Sequence, residues 1–484
     1  MRVLFCISEA VPLAKTGGLA DVGGALPAAL AEQGCEIRMV LPRYRAIALT
    51  GWREAGTVTV SMGGQEMRGT VYEGQMPDTG VPLWLIDQPH YFDRTGLYGE
   101  GGRDYPDNLS RFTFFCRAVL AWLDRQSWRP DLIHGHDWQT ALIPVIIAAE
   151  RQRTVPTLLT IHNLVYQGRF PAEQFRLTGL PASLYTPAGL EFWGQVNLLK
   201  GGLVFSDVLN TVSETYAREI QTEEFGAGLD GVLRDRQHDL YGILNGVDYR
   251  LWDPASDPLI PARYSADDLS GKQVCKAYLQ REAGLAADAE VPLIGMVTRL
   301  VDQKGLDLVA EVIADVLAMR AQFVLLGTGD PAHERRFEDL ARRRPQQAAV
   351  RIGFDNALAH RIEAGADIFL MPSRYEPSGL NQLYSLRYGT VPIVRRTGGL
   401  ADSITDQTQE TMAAETANGF VFQEYTPQAL LSALRRALAA YRDQVTWRQL
   451  QRTGMLADFS WAASAVKYLA LYQRAVARRV PHGT

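Results

Sequence analysis

The sequence predicts an α/β protein of two doubly wound domains, each a parallel sheet covered by helices on both faces. Short runs rich in β-branched residues alternate with amphipathic stretches over most of the 484 residues, a pattern typical of βαβ units. The succession of strand, loop and helix that starts at Arg2 starts again at Pro292. The length also suits two large domains, because α/β domains often exceed roughly 200 residues.

The predicted strands are the short apolar runs of the sequence. In chain order they are Val3–Ile7, Ile37–Leu41, Leu132–His134, Thr157–Ile161, Val208–Val212, Leu293–Val297, Phe323–Leu326, Ile368–Met371 and Val391–Val394. Amphipathic stretches such as Ala25–Gln33, Leu306–Met319 and Leu380–Tyr388 predict helices between them. Residues 57–86 instead alternate apolar and polar side chains between glycine-containing turns, which predicts an antiparallel excursion.

We place the domain boundary after residue 245. Residues 1–245 form the predicted N-terminal domain and residues 246–458 the C-terminal domain, and we expect the two to face each other across a deep cleft. The segment Asn245–Glu290 is rich in Asp, Pro, Gly and Ser, which predicts a linker that leads into one helix. Residues 459–480 carry an amphipathic helical pattern that does not by itself indicate which domain it joins.

Composition excludes several classes of protein. Apolar residues make up 46% of the chain and charged residues 21%, as in an ordinary globular protein. Lysine and arginine number 49 against 54 aspartates and glutamates, a net charge of −5. Because the chain also lacks a basic block, we expect neither nucleic acid nor an anionic membrane surface as a partner. No apolar run approaches the roughly 20 residues of a membrane span.

The four cysteines, Cys6, Cys35, Cys116 and Cys275, are scattered and show no C-x-x-C spacing. They predict neither a disulfide framework nor a zinc ribbon, but reduced thiols. The N-terminal apolar run is too short for a secretory signal. Together these features predict a cytoplasmic protein.

The loop after the first strand, Ser8–Gly24, contains two glycine pairs and leads into a helix. Glycines allow backbone amides to approach an anion closely, and a helix N-terminus favours negative charge. Lys15 adds a flexible cation. The pattern is neither the G-x-G-x-x-G nor the Walker fingerprint, so it does not indicate a nicotinamide-dependent or ATP-hydrolysing enzyme. It predicts a phosphate-binding loop, with a tight turn needed only for packing as the alternative.

A second loop, Thr298–Gly305, follows the first strand of the second domain and places Arg299 and Lys304 close together in sequence. Ligands of open α/β sheets bind outside the carboxyl ends of the strands. An arginine fork beside a lysine suits a diphosphate. The alternative is a solvated basic turn.

A third loop, Arg374–Leu380, follows the strand Ile368–Met371 and carries Glu376 directly before a proline. Proline disfavours helical backbone in the residue before it, so Glu376 is held extended. We expect Gly379 to open the next helix. The carboxylate predicts hydrogen bonds to sugar hydroxyls or stabilisation of positive charge, and a capping carboxylate for that helix is the alternative. Downstream, Thr397–Leu400 repeats the loop-to-helix theme.

Two strands of the first domain end in polar stretches, one with His134, His136 and Asp137 and the other with His162. Two histidines and an aspartate within four residues are compatible with a metal site. No third cluster supplies further ligands, so we predict no metal and expect these groups to line the cleft as hydrogen-bonding side chains. The isolated histidines His90, His238, His333 and His360 are predicted to be surface residues or satisfied core residues.

Seven stretches together resemble the glycogen/starch synthase family of retaining glucosyltransferases. They are KTGGLADVGGALP at Lys15–Pro27, HGHDWQTAL at His134–Leu142, TIHNLVYQGRF at Thr160–Phe170, NGVDYRLWDP at Asn245–Pro254, TRLVDQKG at Thr298–Gly305, PSRYEPSGLNQLYSLRYG at Pro372–Gly389 and RRTGGLADSI at Arg395–Ile404. The matches occur in order and cover nearly the whole chain. The first and sixth strings are very specific.

The resemblance implies the GT-B fold, in which two Rossmann-like domains face each other across a cleft and the last helix crosses back onto the first domain. It implies transfer of glucose from ADP-glucose to the non-reducing end of an α-1,4-glucan such as glycogen, with retention of the anomeric configuration. ADP-glucose and the glucan are then the partners, and no cofactor or metal is implied. A related GT-B enzyme that uses UDP-glucose or a different acceptor is the alternative.

The resemblance also assigns roles to residues of the second domain. Arg299 and Lys304 correspond to the cations that neutralise the leaving diphosphate, and Glu376 to the essential carboxylate close to the glucose. Phe354 stands where an aromatic ring stacks on adenine. The residues of this domain implied to bind substrate are Phe354, Gly379, Leu380 and Thr397.

In the glycine loop of the first domain, Lys15 and the amides of Gly17 and Gly18 correspond to contacts with the diphosphate and glucose of the donor. Asp21 is expected to support this loop. These roles, like those in the second domain, come from the resemblance and not from the spacing of the residues.

Three more residues of the first domain receive roles by resemblance. His162 and Asn245 correspond to the groups that hold the sugar near its primary hydroxyl, and Asp137 to the cleft acid of the family. Members of the family often have Cys at the position of Ser378 and Thr at that of Asn381. Neither position needs a reactive side chain, so we expect activity to be kept.

Breaking the bond from the anomeric carbon to the diphosphate builds negative charge on the leaving group and positive charge on the sugar. Retention can arise by two inversions, which need a carboxylate behind the sugar, or by same-face attack, in which the leaving phosphate takes the acceptor's proton. The resemblance favours same-face attack.

Two other classes of protein fit the sequence less well. A dinucleotide-dependent oxidoreductase would carry a G-x-G-x-x-G fingerprint, which is missing after the first strand. A catalytically silent glucan-binding protein would not need the candidate catalytic residues, all of which are present.

Overall fold

The chain divides into two compact units. The computed structural model describes residues 1–150 and 155–478. The first unit is formed by Met1–Gly246 together with the chain from Trp461 onward, and the second by Val247–Ser460. The boundary predicted after residue 245 therefore lies after residue 246 in the structure. The C-terminal segment predicted to start at residue 459 joins the first unit from Trp461.

The first unit contains most of the strands. They are β1 (Arg2–Cys6), β2 (Glu36–Pro42), β3 (Arg53–Met62), β4 (Gln65–Gln75), β5 (Pro82–Asp87), β6 (Gly99–Glu100), β7 (Arg103–Asp104), β8 (Leu132–His136), β9 (Thr157–Ile161), β10 (Arg169–Pro171), β11 (Glu191–Phe192), β12 (Gln195–Asn197), β13 (Val208–Thr211) and β14 (Leu240–Gly242). Its helices are α1 (Gly18–Glu32), α2 (Pro89–Phe92), α3 (Asn108–Asp124), α4 (Asp137–Thr140), α5 (Leu142–Glu150), α6 (Leu198–Phe205), α7 (Glu214–Glu219) and α8 (Asp230–Asp235), with 3₁₀ turns at Ala172–Thr178 and Ala182–Leu184.

Nine strands of this unit form one sheet in the order β14-β13-β9-β8-β1-β2-β5-β4-β3. The strands from β14 to β5 are parallel, whereas β4 and β3 run antiparallel, which confirms the antiparallel excursion predicted for residues 57–86. Val3–Cys6 of the central strand are fully buried because helices cover both faces of a parallel sheet. Strands β9, β8 and β1 are neighbours in this sheet, so their carboxyl ends lie side by side. His162 follows β9, Asp137 follows β8, and the glycine loop follows β1.

The second unit is a smaller doubly wound domain. Its strands are β15 (Leu293–Val297), β16 (Gln322–Gly327), β17 (Ala348–Ile352), β18 (Ile368–Met371), β19 (Val391–Arg395) and β20 (Phe420–Phe422). Its helices are α9 (Ser270–Glu282), α10 (Leu306–Ala318), α11 (Pro331–Arg343), α12 (Asn356–Gly365), α13 (Asn381–Arg387), α14 (Gly398–Ser403), α15 (Gln409–Ala413), α16 (Pro427–Tyr441) and α17 (Gln444–Leu456), with a 3₁₀ turn at Asp302–Lys304.

The sheet of the second unit has the order β17-β16-β15-β18-β19-β20, and all its strands are parallel. The chain runs outward from β15 to β17 and then returns to the other side of β15 as β18. Between β15 and β18 the direction of winding reverses, so their carboxyl ends open a crevice where ligands of such sheets bind. The loops that start at Thr298 and Pro372 leave from this crevice.

The last helix, α18 (Trp461–Ala477), packs on the first unit. The Tyr472 hydroxyl lies 2.8 Å from Nδ1 of His134, and the side-chain amide of Asn210 donates to the Tyr468 hydroxyl at 3.0 Å. The predicted helix of residues 459–480 therefore starts two residues later, and its last two residues lie outside the part of the chain that the structure describes.

Some elements did not show in the sequence pattern. The strands β14, β17 and β20 were not predicted, and each lies at the edge of a sheet. Helix α13 begins at Asn381, so Gly379 precedes the helix by two residues and does not open it, which corrects that expectation. The four cysteines are buried free thiols, as predicted.

Candidate active site

A cavity of about 170 Å³ lies at the carboxyl ends of β15 and β18, entirely within the second unit. We call it the Glu376 pocket; its lining residues are Met296, Val297, Thr298, Arg299, Lys304, Leu370, Met371, Ser373, Glu376, Gly379, Leu380 and Asn381. It contains five of the residues that the sequence assigned to this domain: Arg299, Lys304, Glu376, Gly379 and Leu380. They come from two loops that are far apart in the chain.

The centre of the pocket is an ion pair between Lys304 and Glu376. The lysine Nζ donates to Oε2 of the carboxylate at 2.6 Å, and the hydroxyl of Ser373 donates to the same oxygen at 2.9 Å. Only 16% of the Lys304 side chain and 8% of the Glu376 side chain are exposed. The carboxylate is therefore a pocket group held by two donors, and not the helix cap that was its alternative.

Close backbone contacts hold the two loops together. Gly305 has φ of +72°, and a Cβ there would lie 2.1 Å from the carbonyl oxygen of Pro372. The amide of Arg374 donates to the carbonyl of Gln303 at 2.8 Å, and the Gln303 side chain donates to the Tyr375 carbonyl at 3.2 Å. Lys304 and Glu376 are thus brought together by a backbone contact that only glycine permits.

Seven of the twelve lining residues were not predicted as site residues, and the side chains of two of them, Asn381 and Ser373, form hydrogen bonds that shape the pocket. Asn381 donates its side-chain amide to the carbonyl of Val297 at 2.6 Å, which ties the start of α13 to the end of β15. Ser373 bonds the carboxylate of Glu376. Both lie in the very specific string from Pro372 to Gly389, so a signal existed, but it did not indicate which side chains turn into the pocket.

Two other predicted residues of this unit lie outside the cavity lining. Thr397 is buried and precedes α14, and the amide of Gly399 donates to the carbonyl of Glu376 at 3.1 Å, so this loop supports the backbone of Glu376. Phe354 follows β17 and is 85% exposed. Its ring is free of the core, and the stacking on adenine stays a prediction.

In the first unit, the loop after β1 is organised around Glu9. Its carboxylate accepts hydrogen bonds from the Thr16 amide at 2.5 Å and the Gly17 amide at 3.2 Å, and from the hydroxyls of Thr16 and Tyr98, each at 2.7 Å. In this arrangement the Gly17 amide already has an anionic partner. The sequence reasoning did not single out Glu9, although it lies within the loop Ser8–Gly24.

Lys15 and Asp21 form an ion pair, with Nζ at 2.7 Å and 3.0 Å from the two carboxylate oxygens. Burial raises the pKa of Asp21, and the nearby Lys15 partly opposes that rise. The second glycine pair of the loop serves packing: a Cβ at Gly23 would lie 2.4 Å from the Glu9 carbonyl and one at Gly24 would lie 2.4 Å from Val11. The contacts of Lys15, Gly17 and Gly18 with the donor stay predictions.

Asp137 lies at the carboxyl end of β8 and holds the backbone of the neighbouring strand end. Its Oδ1 accepts a hydrogen bond from the His162 amide at 2.7 Å, and its own φ is +55°. Burial raises the pKa of Asp137 to about 7, although the amides of His162 and Asn163 favour the charged form. Asn245 is buried, and its Oδ1 has no partner among the described residues.

His134 and His136 do not line a surface, which corrects the expectation for these two residues. Strand β8 continues to His136, and both rings are fully buried. His134 lies 2.7 Å from the Thr160 hydroxyl as well as near Tyr472, and His136 contacts His162. Among the isolated histidines, His360 is a satisfied core residue, with Nδ1 at 2.8 Å from Asp257, as predicted.

Two further findings concern the whole described chain. Within residues 1–150 and 155–478, no group of three His, Cys, Asp or Glu side chains is arranged to hold a metal ion. Across the same residues, every helix is too short or too polar to cross a lipid bilayer.

Comparison with known families matches both units. Residues 2–235 match the family described as starch synthase catalytic domain, and residues 281–452 match the family described as glycosyl transferases group 1. Sucrose-phosphate synthase from Thermosynechococcus elongatus has the same fold, with a TM-score of 0.60 at 18% identity over 99% of each chain. The chain is a hexosyltransferase with the GT-B fold.

Similar proteins of known name identify the family within this class of enzyme. The glycogen synthase of Syntrophotalea carbinolica is 49% identical over 98% of this chain and 99% of that protein. The catalytic domain of starch synthase IV from Arabidopsis thaliana, solved with ADP and acarbose bound, is 36% identical with a TM-score of 0.90 over 99% of both chains. The chain belongs to the glycogen synthase family.

Proposed function

We propose that this protein lengthens an α-1,4-glucan by transferring glucose from ADP-glucose to its non-reducing end, with retention at the anomeric carbon. The observation that carries the proposal is the buried pair of Lys304 and Glu376 beside Arg299, at the crevice of the second unit. The names of its relatives and the ADP and acarbose held by the similar starch synthase support this choice of donor and acceptor.

The cations of the pocket act on the leaving group. As the bond to the anomeric carbon breaks, negative charge grows on the diphosphate, and Arg299 and Lys304 are placed to neutralise it. Donors that are already in position in a partly dry site give a large share of catalysis, about 2.7–4 kcal/mol for one donor. Because these residues supply the positive charge, we propose that the transfer needs no metal ion.

Glu376 acts on the sugar. A carboxylate can stabilise the positive charge that develops on the ring, and Lys304 and Ser373 hold this one in a single position. A carboxylate engaged by an ammonium and a hydroxyl is a weak nucleophile, and it is the one carboxylate lining the described cavity. This arrangement supports same-face attack, in which the leaving phosphate accepts the proton of the acceptor hydroxyl, over two successive inversions.

The remaining roles follow the resemblance. We propose that Lys15 and the amides of Gly17 and Gly18 bind the donor, with the Glu9 carboxylate leaving the Gly17 amide when the donor enters. In the second unit, the exposed ring of Phe354 stacks on adenine. Reduced thiols persist in the cytoplasm, so the four buried free thiols support the proposal that the protein acts there.

The test incubates the protein with glycogen and radiolabelled ADP-glucose or UDP-glucose, each with an excess of EDTA. The expected result is label in polymer from ADP-glucose, unaffected by EDTA and removable by an enzyme that degrades glucan from the non-reducing end. The Glu376→Gln variant is the inactive control. Label from UDP-glucose alone, or from neither donor, would contradict the proposal.

A further inference from the structure

A hydrogen bond joins two histidines at the carboxyl ends of β8 and β9. Nδ1 of His136 lies 3.0 Å from Nε2 of His162. The two ring centroids are 5.2 Å apart, and the centroid of the His134 ring lies 4.0 Å from that of His136. His136 is fully buried and the proposed reaction gives it no role, whereas His162 is one of the residues assigned to the sugar.

Both rings of this contact are neutral. Burial lowers the pKa of His136 well below its ordinary 6.5, and it lowers the pKa of His162 to about 3. The apolar surroundings include the ring of Phe5, with its centroid 4.3 Å from that of His136. A neutral imidazole has one N–H, so in the contact one nitrogen donates and the other accepts. Two arrangements are possible, and each fixes a different tautomer of His162.

The second nitrogen of His136 decides between them. Its Nε2 is sealed from solvent and has no hydrogen-bond partner among the described residues. If Nδ1 of His136 accepted, the proton of that ring would sit on Nε2 as a buried N–H with no acceptor. If Nδ1 donates, Nε2 carries no proton and is an acceptor without a partner. Buried acceptors without a partner are tolerated more readily than buried N–H groups without one.

We propose that His136 is a positioning residue: its Nδ1–H donates to Nε2 of His162 and holds His162 in the tautomer that carries its proton on Nδ1. In the described chain, Nδ1 of His162 has no hydrogen-bond partner and is not sealed from solvent. His162 therefore presents a donor at Nδ1 to an oxygen of the bound sugar. The identity of that sugar rests on the proposed function, but the tautomer does not.

The backbone of His162 is held as well. The carboxylate of Asp137 accepts the His162 amide at 2.7 Å, so one neighbour fixes the main chain and another fixes the ring. The ring bond sets which nitrogen carries the proton, and the amide bond sets where that nitrogen lies. A hydrogen-bond donor held in this way loses little freedom when the sugar binds.

The direct test measures the tautomer in the intact protein labelled with ¹⁵N-histidine. Long-range ¹⁵N–¹H correlation spectra distinguish a protonated ring nitrogen from a bare one, and His136 and His162 are assigned from the spectra of single variants. We expect both residues to be protonated at Nδ1. Protonation of His162 at Nε2 in the wild-type protein would overturn the proposal, whatever the behaviour of any variant.

Two substitutions at position 136 separate the hydrogen bond from packing. The side-chain amide of Asn in His136→Asn can place a donor close to the position of Nδ1, whereas His136→Leu fills the site without a donor. We expect kcat with ADP-glucose to fall about tenfold in His136→Leu, as for the loss of one hydrogen bond, and to stay within about threefold in His136→Asn. KM for the glucan should change little, and His162 should become a mixture of tautomers only in the Leu variant. Equal losses in the two variants would refute the role of the bond.

His134→Leu is the matched control, because His134 is equally buried two residues earlier and has no hydrogen bond to His162. We expect it to lower thermal stability but to leave the His162 tautomer unchanged. A tautomer shift as large as that in His136→Leu would point to packing and overturn the proposal. A wild-type protein inactive with ADP-glucose would overturn the proposed function instead, and the wild-type spectrum would still decide the tautomer.

Discussion

Lys304 and Glu376 are 72 positions apart in the chain and meet in a hydrogen bond of 2.6 Å from Nζ to Oε2. The bond links the two sides of the crevice, because Lys304 follows β15 and Glu376 follows β18. The pair is largely buried, so water screens the attraction between its charges only weakly. A buried pair of opposite charges next to Arg299 is suited to a substrate that develops both charges at once.

Removing either cation of the Glu376 pocket should slow chemistry more than binding. We expect Lys304→Ala and Arg299→Ala each to lower kcat about 100-fold or more, since each removes a donor at developing negative charge. Steady-state kinetics with ADP-glucose and glycogen measure the effect. Arg320→Ala is the control, because Arg320 pairs with Asp288 on the surface of the same unit and its side chain is 76% exposed. Losses of kcat below tenfold in both pocket variants would show that neither residue stabilises the transition state.

The close contact at Gly305 should be needed to form the pocket. We expect Gly305→Ala to unfold more easily than wild type and to lose activity, because its Cβ would lie 2.1 Å from the Pro372 carbonyl. Gly284→Ala is a matched control: Gly284 has φ of +69°, close to the +72° of Gly305, but no atom lies within 4 Å of its Cβ position. Both variants lose about 1 kcal/mol to the left-handed backbone, and Gly305→Ala should lose about 2 kcal/mol more.

Urea unfolding of the intact variants, followed by activity assays, measures the difference between the two alanine substitutions. Equal stability of the two variants would show that the loops adjust around Gly305 and that the glycine does not hold them together.

The buried carboxyl of Asp137 should make stability fall as pH rises. The pKa of Asp137 is about 7 in the folded protein against an ordinary 3.8, so as pH rises the unfolded chain releases this proton at a lower pH than the folded protein does. The free energy of unfolding therefore falls as pH rises between these two values. The slope is at most about 1.4 kcal/mol per pH unit. Asp137→Asn cannot ionise, and we expect the difference in unfolding free energy between wild type and this variant to shrink as pH rises from 4 to 7. A difference independent of pH would contradict burial as the main influence on this group.

Lys15 should contribute to donor binding through its charge. We expect Lys15→Ala to raise KM for ADP-glucose about tenfold, and the effect to weaken at high salt because Lys15 is 46% exposed. Arg2→Ala is a matched control, since Arg2 pairs with Asp131 at similar exposure and lies at the opposite end of β1. An equal change of KM in both variants would indicate a general effect of net charge and not a contact of Lys15.

Much of the fold could be predicted because it is encoded locally. The strands Thr157–Ile161, Leu293–Val297 and Ile368–Met371 have the predicted bounds, since a strand buried on both faces is a continuous apolar run. Edge strands such as β17 are half exposed and mix apolar with polar residues, so they do not stand out. Helix starts were less accurate, as at Asn381, because several residues near a glycine can begin a helix.

The candidate site was predicted in part, because its residues follow strand ends and form specific strings. Arg299, Lys304 and Glu376 do line one cavity. His134 and His136 were misplaced at a surface, since the sequence does not show that β8 continues to His136 or that Tyr472 of α18 lies against His134. Glu9 and Ser373 were missed, because their roles depend on hydrogen bonds that form when a loop folds back on itself, which the spacing of residues does not show.

The amino-acid sequence alone determined the two α/β domains, the positions of the loops that carry charge and the resemblance to a glucan-synthesising family. Apolar periodicity and short motifs involve residues that are neighbours in the chain, so they can be recognised without coordinates. Only the tertiary structure decided that Lys304 bonds Glu376, that Glu9 holds the glycine loop and that His136 contacts His162. The first and third contacts join residues at or after the ends of different strands, and the order of strands in the sheets, which leaves no local pattern, brings them together. The Glu9 contacts depend instead on how one loop folds back on itself.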